Sequence, residues 1–212
     1  MLLKTELNYI DSIGQTIKSI SISPSAEWII LYGDFGYSFS SLPPKAKEYL
    51  KKINKDKAKI NDFDYINKDT SWVCLSKNNA YAFETIPKQL GEDLKKINKQ
   101  QLPIYQLSYA KNRWSIIYAK GKVLYSGFSK NAAQKIKQLQ EKERLIKYIA
   151  LNDVNGYVFL YGRNDYWTEN ISQECINELE SLKKKNYEIN LVHFFNNAWI
   201  IIYNKQKFVC NF

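Results

Sequence analysis

Trp28-Ile29-Ile30-Leu31-Tyr32 opens an apolar run with an aromatic side chain, and the run returns four times along the chain. The other copies are Trp72-Val73-Cys74-Leu75, Trp114-Ser115-Ile116-Ile117-Tyr118, Tyr157-Val158-Phe159-Leu160-Tyr161 and Trp199-Ile200-Ile201-Ile202-Tyr203. Their starts stand 44, 42, 43 and 42 residues apart. Further columns keep the same step. Nine residues after each start comes Tyr37, Tyr81, Val123, Tyr166 or Phe208, and Leu50, Leu94, Ile136 and Leu179 follow the first four starts at 22. A fixed period over many columns is the mark of a repeat architecture.

Each unit reads strand, strand, strand, helix. The first strand alternates loosely, as in Ile17, Ile20 and Ile22. The second is apolar at nearly every position, which predicts a strand covered on both faces. Pro43, Pro44, Pro87, Ser129 or Ser172 then opens a helix, because proline suits the first helical turn and serine caps free N–H groups. Leu50/Ile53, Leu94/Ile97, Ile136/Leu139 and Leu179/Leu182 give each helix one apolar face.

The fifth unit ends at Phe212 without a helix. Leu7 lies ten residues before Ile17, as Leu50 lies ten before Ile60, so residues 3–16 read as that helix, supplied by the N-terminus. A unit split across both ends predicts closure. The expected fold is an α+β repeat, a closed pseudo-fivefold ring of five βββα units forming one domain over residues 1–212. The units run roughly 17–59, 60–103, 104–145, 146–188, and 189–212 with 1–16.

In element order, unit length and unit number this plan resembles the pentein, or α/β-propeller, architecture. The resemblance spans the whole chain at the level of fold and rests on no pentein sequence motif. It implies two kinds of activity, guanidino-modifying hydrolysis and ribosome anti-association. The Trp and Tyr columns also resemble tandem-repeat proteins of unknown function, a similarity that implies no activity. Fold alone does not select among functions.

The hydrolase reading implies a nucleophilic Cys and a His, which here would be Cys210 and His193, only 17 residues apart in one unit. The columns argue otherwise. Cys210 shares its position with Phe39, Phe83, Tyr125 and Thr168, and Cys74 and Cys175 also stand in apolar columns, so all three read as core residues. His193, the only histidine, stands in a column with Ser21, Asp64, Ser108 and Ala150, where a strand residue with a local hydrogen bond is expected. Three cysteines without CxxC spacing and a single histidine point to no metal, no cofactor and no disulfide framework. The N-terminus has no signal-peptide pattern and no apolar run is long enough to span a membrane, so a cytoplasmic location is expected.

Tyr32, Tyr118, Tyr161 and Tyr203 end their second strands and are candidates to surround the axis, where repeated aromatics could hold a sugar or simply fill the centre. The turns that follow differ in every unit (Asp34-Phe35, Asn78-Asn79, Lys120-Gly121, Arg163-Asn164, Lys205-Gln206), which suits one asymmetric partner better than five equal ligands.

The 212 residues carry 31 Lys and Arg against 21 Asp and Glu, a net charge of +10. Residues 45–59, 88–103 and 130–145 contribute +5, +2 and +3, so three consecutive helices hold the whole excess. Lys47, Lys51, Lys52 and Lys55 of the first are the candidate contacts. The charge suits an acidic protein, RNA or a ribosome. Only Arg113, Arg144 and Arg163 supply the fork that base and phosphate readers favour. The expectation is therefore a non-enzymatic interaction module that presents variable turns and a lysine arc to a macromolecule. An RNA- or ribosome-associated factor, a glycan-binding propeller and a guanidino-modifying hydrolase are the alternatives.

Overall fold

In the computed structural model, which describes residues 2–66, 68–76 and 80–212, one helix precedes five three-strand sheets. The order is α1 (Leu3–Ser12), β1 (Ile17–Ile22), β2 (Trp28–Tyr32), β3 (Gly36–Phe39) and α2 (Pro44–Lys55). Then come β4 (Ile60–Ile66), β5 (Lys68–Ser76), β6 (Tyr81–Glu84) and α3 (Lys88–Lys99), followed by β7 (Ile104–Ala110), β8 (Arg113–Tyr118), β9 (Lys122–Ser126) and α4 (Lys130–Glu141). The last two groups are β10 (Ile146–Leu151), β11 (Tyr157–Tyr161), β12 (Asp165–Glu169) and α5 (Gln173–Lys184), and β13 (Ile189–Phe195), β14 (Ala198–Tyr203) and β15 (Lys207–Cys210). Each sheet is antiparallel in sequence order, and no sheet closes on itself. We call each sheet a blade; together they form a five-bladed, propeller-like repeat.

The first strands lie innermost. β1 neighbours β4, β4 neighbours β7, β7 neighbours β10, β10 neighbours β13, and β13 neighbours β1. Between consecutive blades sits one helix. Ala46, Leu50 and Ile53 of α2 fill the gap between Ile29 and Leu31 of blade 1 and Phe63, Trp72 and Cys74 of blade 2. Leu90, Leu94 and Ile97 of α3 do the same between blades 2 and 3, and Ala132, Ile136 and Leu139 of α4 between blades 3 and 4.

This packing explains why the second strands are apolar throughout. On β2, Trp28 and Ile30 belong to the cluster that includes α1, whereas Ile29 and Leu31 belong to the cluster around α2. Successive side chains point to opposite faces, and both faces meet a helix and a neighbouring blade. Burial of each large apolar side chain contributes about 1.5–3 kcal/mol.

Leu7 and Ile10 of α1, fully buried, join one cluster with Ile17, Ile20 and Trp28 of blade 1 and Ile189, Trp199 and Ile201 of blade 5. The ends of the chain are further tied by an ion pair from Lys207 Nζ to Asp11 at 2.9 Å and by the Ile17 N–H donating to the Lys205 carbonyl at 2.8 Å. The N-terminal helix therefore occupies the place beside blade 5 that α2 occupies beside blade 1.

Helix starts follow their residues. Pro44 stands in the first turn of α2, and Ser129 and Ser172 accept hydrogen bonds from the N–H groups of Ala132 and Cys175. The turns after the second strands need left-handed backbone, supplied by Gly33, Gly121 and Gly162 and in blade 5 by Asn204 and Lys205. Asn78-Asn79, the turn expected in the second unit, lies outside the described residues.

One detail recurs in all five blades. The pairing of first with second strand skips one residue near the start, at Lys18, Asn61, Tyr105, Lys147 and Asn190. Such a bulge bends its strand and re-aims the side chains that follow. Those side chains are Ser19, Asp62, Gln106, Tyr148 and Leu191.

Candidate functional site

The bulges set two polar columns at the centre. In the first, Asp62 of β4 accepts hydrogen bonds from Ser19 Oγ of blade 1, from the Phe63 N–H at 3.0 Å and from the Leu107 N–H of blade 3 at 2.7 Å. In the second, Asp64 accepts from Ser21 Oγ of blade 1 at 2.8 Å and from the Tyr109 N–H of blade 3 at 2.9 Å. Blade 2 thus holds both neighbours through two carboxyls. Gln106 and Ser108 continue the pattern by donating to the Ile149 carbonyl of blade 4. The first strands belong to different sheets and share no hydrogen-bond ladder, so from blade 1 to blade 4 side chains reach across to N–H and C=O groups of the neighbouring first strand.

Beyond blade 3 the columns turn apolar, with Tyr148, Ala150 and Leu191, until His193. Its Nε2 is shut off from solvent and has no hydrogen-bond partner among the described residues. Burial pushes the imidazole pKa down to about 4. Burial also pushes the Asp62 carboxyl up to about 7, against the pull of its three donors. Asp64 is raised well above the usual carboxylate range, first by burial and then by Asp62 beside it. No lysine or arginine forms an ion pair with either carboxyl among the described residues.

All five first strands line one cavity of about 270 Å³ at this centre. Asp62, Asp64, Ser108 and His193 contribute polar groups, and Tyr109, Phe194 and Phe195 contribute aromatic walls. The turns after the first strands form its rim, where Pro24, Lys111, Asp153 and Asn196 are exposed. Concave sites that combine aromatic walls with a few convergent polar groups are the usual form of a small-ligand site.

The residues singled out from sequence lie elsewhere, His193 excepted. Tyr32, Tyr118, Tyr161 and Tyr203 do not line the cavity. Each is half-buried against the inter-blade clusters. Tyr32 faces Glu6 and Tyr9 of α1, Lys135 of α4 lies over the Tyr161 ring, and Tyr203 stacks on Tyr187 at 5.4 Å. The second strands end away from the cavity, against the helices, so their terminal tyrosines neither surround nor fill the centre.

The structure does not bring Cys210 to His193. In the register His193 faces Ile200 and Ile200 faces Cys210, a separation of two strand spacings, roughly 9–10 Å. Cys210 is half-buried on an outer strand rather than in the core, whereas Cys74 and Cys175 are buried. Burial, helped by Glu174 and Glu178, pushes the Cys175 thiol up to about 12. Neither buried thiol has the lowered pKa of a nucleophile. No group of three or more His, Cys, Asp or Glu able to hold a metal occurs among the described residues. No described helix is long and apolar enough to cross a membrane.

Lys47, Lys51, Lys52 and Lys55 are exposed along α2. Lys47 Nζ sits 5.3 Å over the Phe39 ring, and Lys51, Lys52 and Lys55 form no ion pair among the described residues. Lys88, Lys95, Lys96 and Lys99 on α3, and Lys130 and Lys137 on α4, are exposed as well.

Asp62 and its column were missed from the sequence. The available signal was a polar residue two positions before three of the five members of the His193 column: Ser19, Asp62 and Gln106 stand before Ser21, Asp64 and Ser108.

No family model and no curated protein matches this chain. Among solved structures it is similar to "YCF48 bound to D1 peptide" at 9% identity and a TM-score of 0.32, covering 92% of this chain and 65% of that one. It is similar to a catalytically inactive virginiamycin B lyase from Staphylococcus aureus with quinupristin, at 11% identity and a TM-score of 0.31, over 93% and 70% of the two chains. The Dos1 propeller is similar at 10% identity and a TM-score of 0.22, over 89% of this chain and 42% of that one.

Proposed function

We propose that this chain is a non-enzymatic binding module that engages an acidic protein through the lysine arc of α2, α3 and α4. The observation that carries the reading is positional. The three helices fill consecutive inter-blade gaps, and their lysines, Lys135 excepted, are exposed with few acids beside them. A one-sided field of this kind steers an anionic partner and sets orientation more than affinity. Lys47, Lys51, Lys52 and Lys55 are the proposed first contacts, and the differing turns after the second strands tune the fit. On this reading the scaffold is a closed ring of the pentein type acting in the cytoplasm. Support for closure is the contact of β13 with β1 and the seat of α1 beside blade 5.

Lysine is a compact, strongly hydrated charge without arginine's bidentate fork, which favours carboxylates on a protein over base and phosphate readout. The test measures binding of poly-L-glutamate and of single-stranded poly-U RNA at rising salt. The reading expects poly-glutamate to bind, to weaken as salt screens the charges, and to lose at least tenfold when the four α2 lysines are changed to glutamate. Preferential binding of poly-U with a steep salt slope would move the assignment to an RNA- or ribosome-associated factor. Absence of both would overturn the arc as a binding surface.

A further inference from the structure

We propose that the central cavity is a binding site for one neutral, hydroxyl-rich ring, a monosaccharide or a cyclic polyol of similar size. This site is separate from the lysine arc. The volume of about 270 Å³ is at the small end of ligand pockets and admits a single six-membered ring with its substituents. The exposed rim at Pro24, Lys111, Asp153 and Asn196 leaves a path in from solvent.

Chemistry narrows the class. Asp62 Oδ1 already accepts twice, from Ser19 Oγ and the Phe63 N–H, but Asp62 Oδ2 and both Asp64 oxygens accept one bond each in joining blades and keep a second lone pair. Ser108 Oγ donates to the Ile149 carbonyl and keeps its acceptor sites. His193 lines the cavity from β13, with its Nε2 turned away from solvent. Tyr109, Phe194 and Phe195 offer apolar faces. A ligand that matches must donate and accept around its edge and present an apolar face, which describes a pyranose.

Charge separates this from a cationic ligand. With no ligand bound, burial raises both carboxyls, so a cation would have to drive their ionisation as it binds, a cost that a neutral ring does not incur. A protonated carboxyl gives one O–H donor and retains acceptors, which suits hydroxyl groups of either polarity.

The experiment titrates the intact chain with methyl glycosides of glucose, galactose, mannose and N-acetylglucosamine, and with myo-inositol, by saturation-transfer NMR and calorimetry. Butylammonium is a parallel arm. The expected result is one site for at least one ring, weakened tenfold or more by Phe194→Ala, which removes a wall outside the blade-joining network, and by Ala150→Ile, which fills the cavity. Near-UV circular dichroism reports the folding of both variants. Comparable binding of a free glycoside and of an oligosaccharide ending in it identifies the single ring as the ligand; binding of the oligosaccharide alone assigns the site to a glycan end. Failure of every ring and glycan, binding untouched by both Phe194→Ala and Ala150→Ile, or a preference for butylammonium would overturn the proposal.

Discussion

Asp62 Oδ2 accepts the backbone N–H of Leu107 at 2.7 Å, joining two strands that belong to different sheets and lie 45 residues apart. The same carboxyl takes Ser19 Oγ from the other side, so one residue of blade 2 holds blades 1 and 3. Asp62→Ala removes the acceptor and strands two N–H groups and a hydroxyl in the interior. Each unpaired buried group costs about 1–3 kcal/mol, so a loss of about 3 kcal/mol or more is expected in urea unfolding. Asp62→Asn keeps one acceptor oxygen and the shape of the side chain, and its expected loss is about half as large.

The pH dependence follows from two groups that oppose each other. Asp62 is raised from 3.8 to about 7 in the folded state, so its favourable contribution is complete below pH 4 and is lost as pH rises toward 7. His193 is lowered from 6.5 to about 4, so its contribution is present above pH 6.5 and is lost as pH falls toward 4. Asp64, facing Asp62 and also raised, extends the decline toward higher pH. Between pH 4 and 6.5 the His193 slope offsets one carboxyl's, the second carboxyl leaves a shallow net fall, and above that window the fall steepens. His193→Gln should expose a steady decline from pH 4 upward, worth on the order of 3 kcal/mol at pH 4 relative to the native chain's own profile. Urea midpoints at half-unit pH steps measure it, and parallel curves for the two proteins would refute the assignment.

Those two predictions rest on residues the sequence disclosed unevenly. The units, the doubly covered second strands and the helix starts at Pro44, Ser129 and Ser172 were legible because they depend on neighbours within a few positions. The His193 column was visible as a column, but its burial was not. Asp62 is buried, and Asp64 half-buried, only because Leu107 and Tyr109 of another sheet lie opposite. The bulges at Lys18, Asn61, Tyr105, Lys147 and Asn190 are equally silent, since a skipped residue exists only relative to its partner strand. Tyr32 and its counterparts form a clear column, yet a column fixes equivalence and not direction. Their strands end against the helices.

Leu7 of α1 and Leu50 of α2 occupy equivalent seats, both fully buried, although Leu7 reaches blade 5 from the opposite end of the chain. If α1 completes the fifth unit, Leu7→Ala and Leu50→Ala should destabilise by similar amounts, about 2–5 kcal/mol each. Guanidinium unfolding followed by tryptophan fluorescence compares them. A Leu7→Ala cost below 1 kcal/mol beside a normal Leu50→Ala cost would show that the N-terminal helix is an accessory.

Arg113 on β8 is a buried cation that pairs with no carboxylate among the described residues. Its Nη2 donates to the Asn152 carbonyl and its guanidinium lies 5.0 Å from the Tyr157 ring centre, but Nε and Nη1 have no partner among the described residues. Desolvating a guanidinium is expensive, and a single carbonyl with one aromatic face repays only part of that cost. Arg113→Met keeps the apolar stem packed against Gly127 and Tyr157 while removing the charge. The expected result is a change within about 1 kcal/mol of zero or a net gain, as when buried ionic groups are replaced by apolar ones of similar volume. Arg113→Ala should cost more, because the stem's contacts are lost as well. Thermal unfolding of both variants decides the point: a Met variant as unstable as the Ala variant would mean that the charge itself holds blades 3 and 4 together.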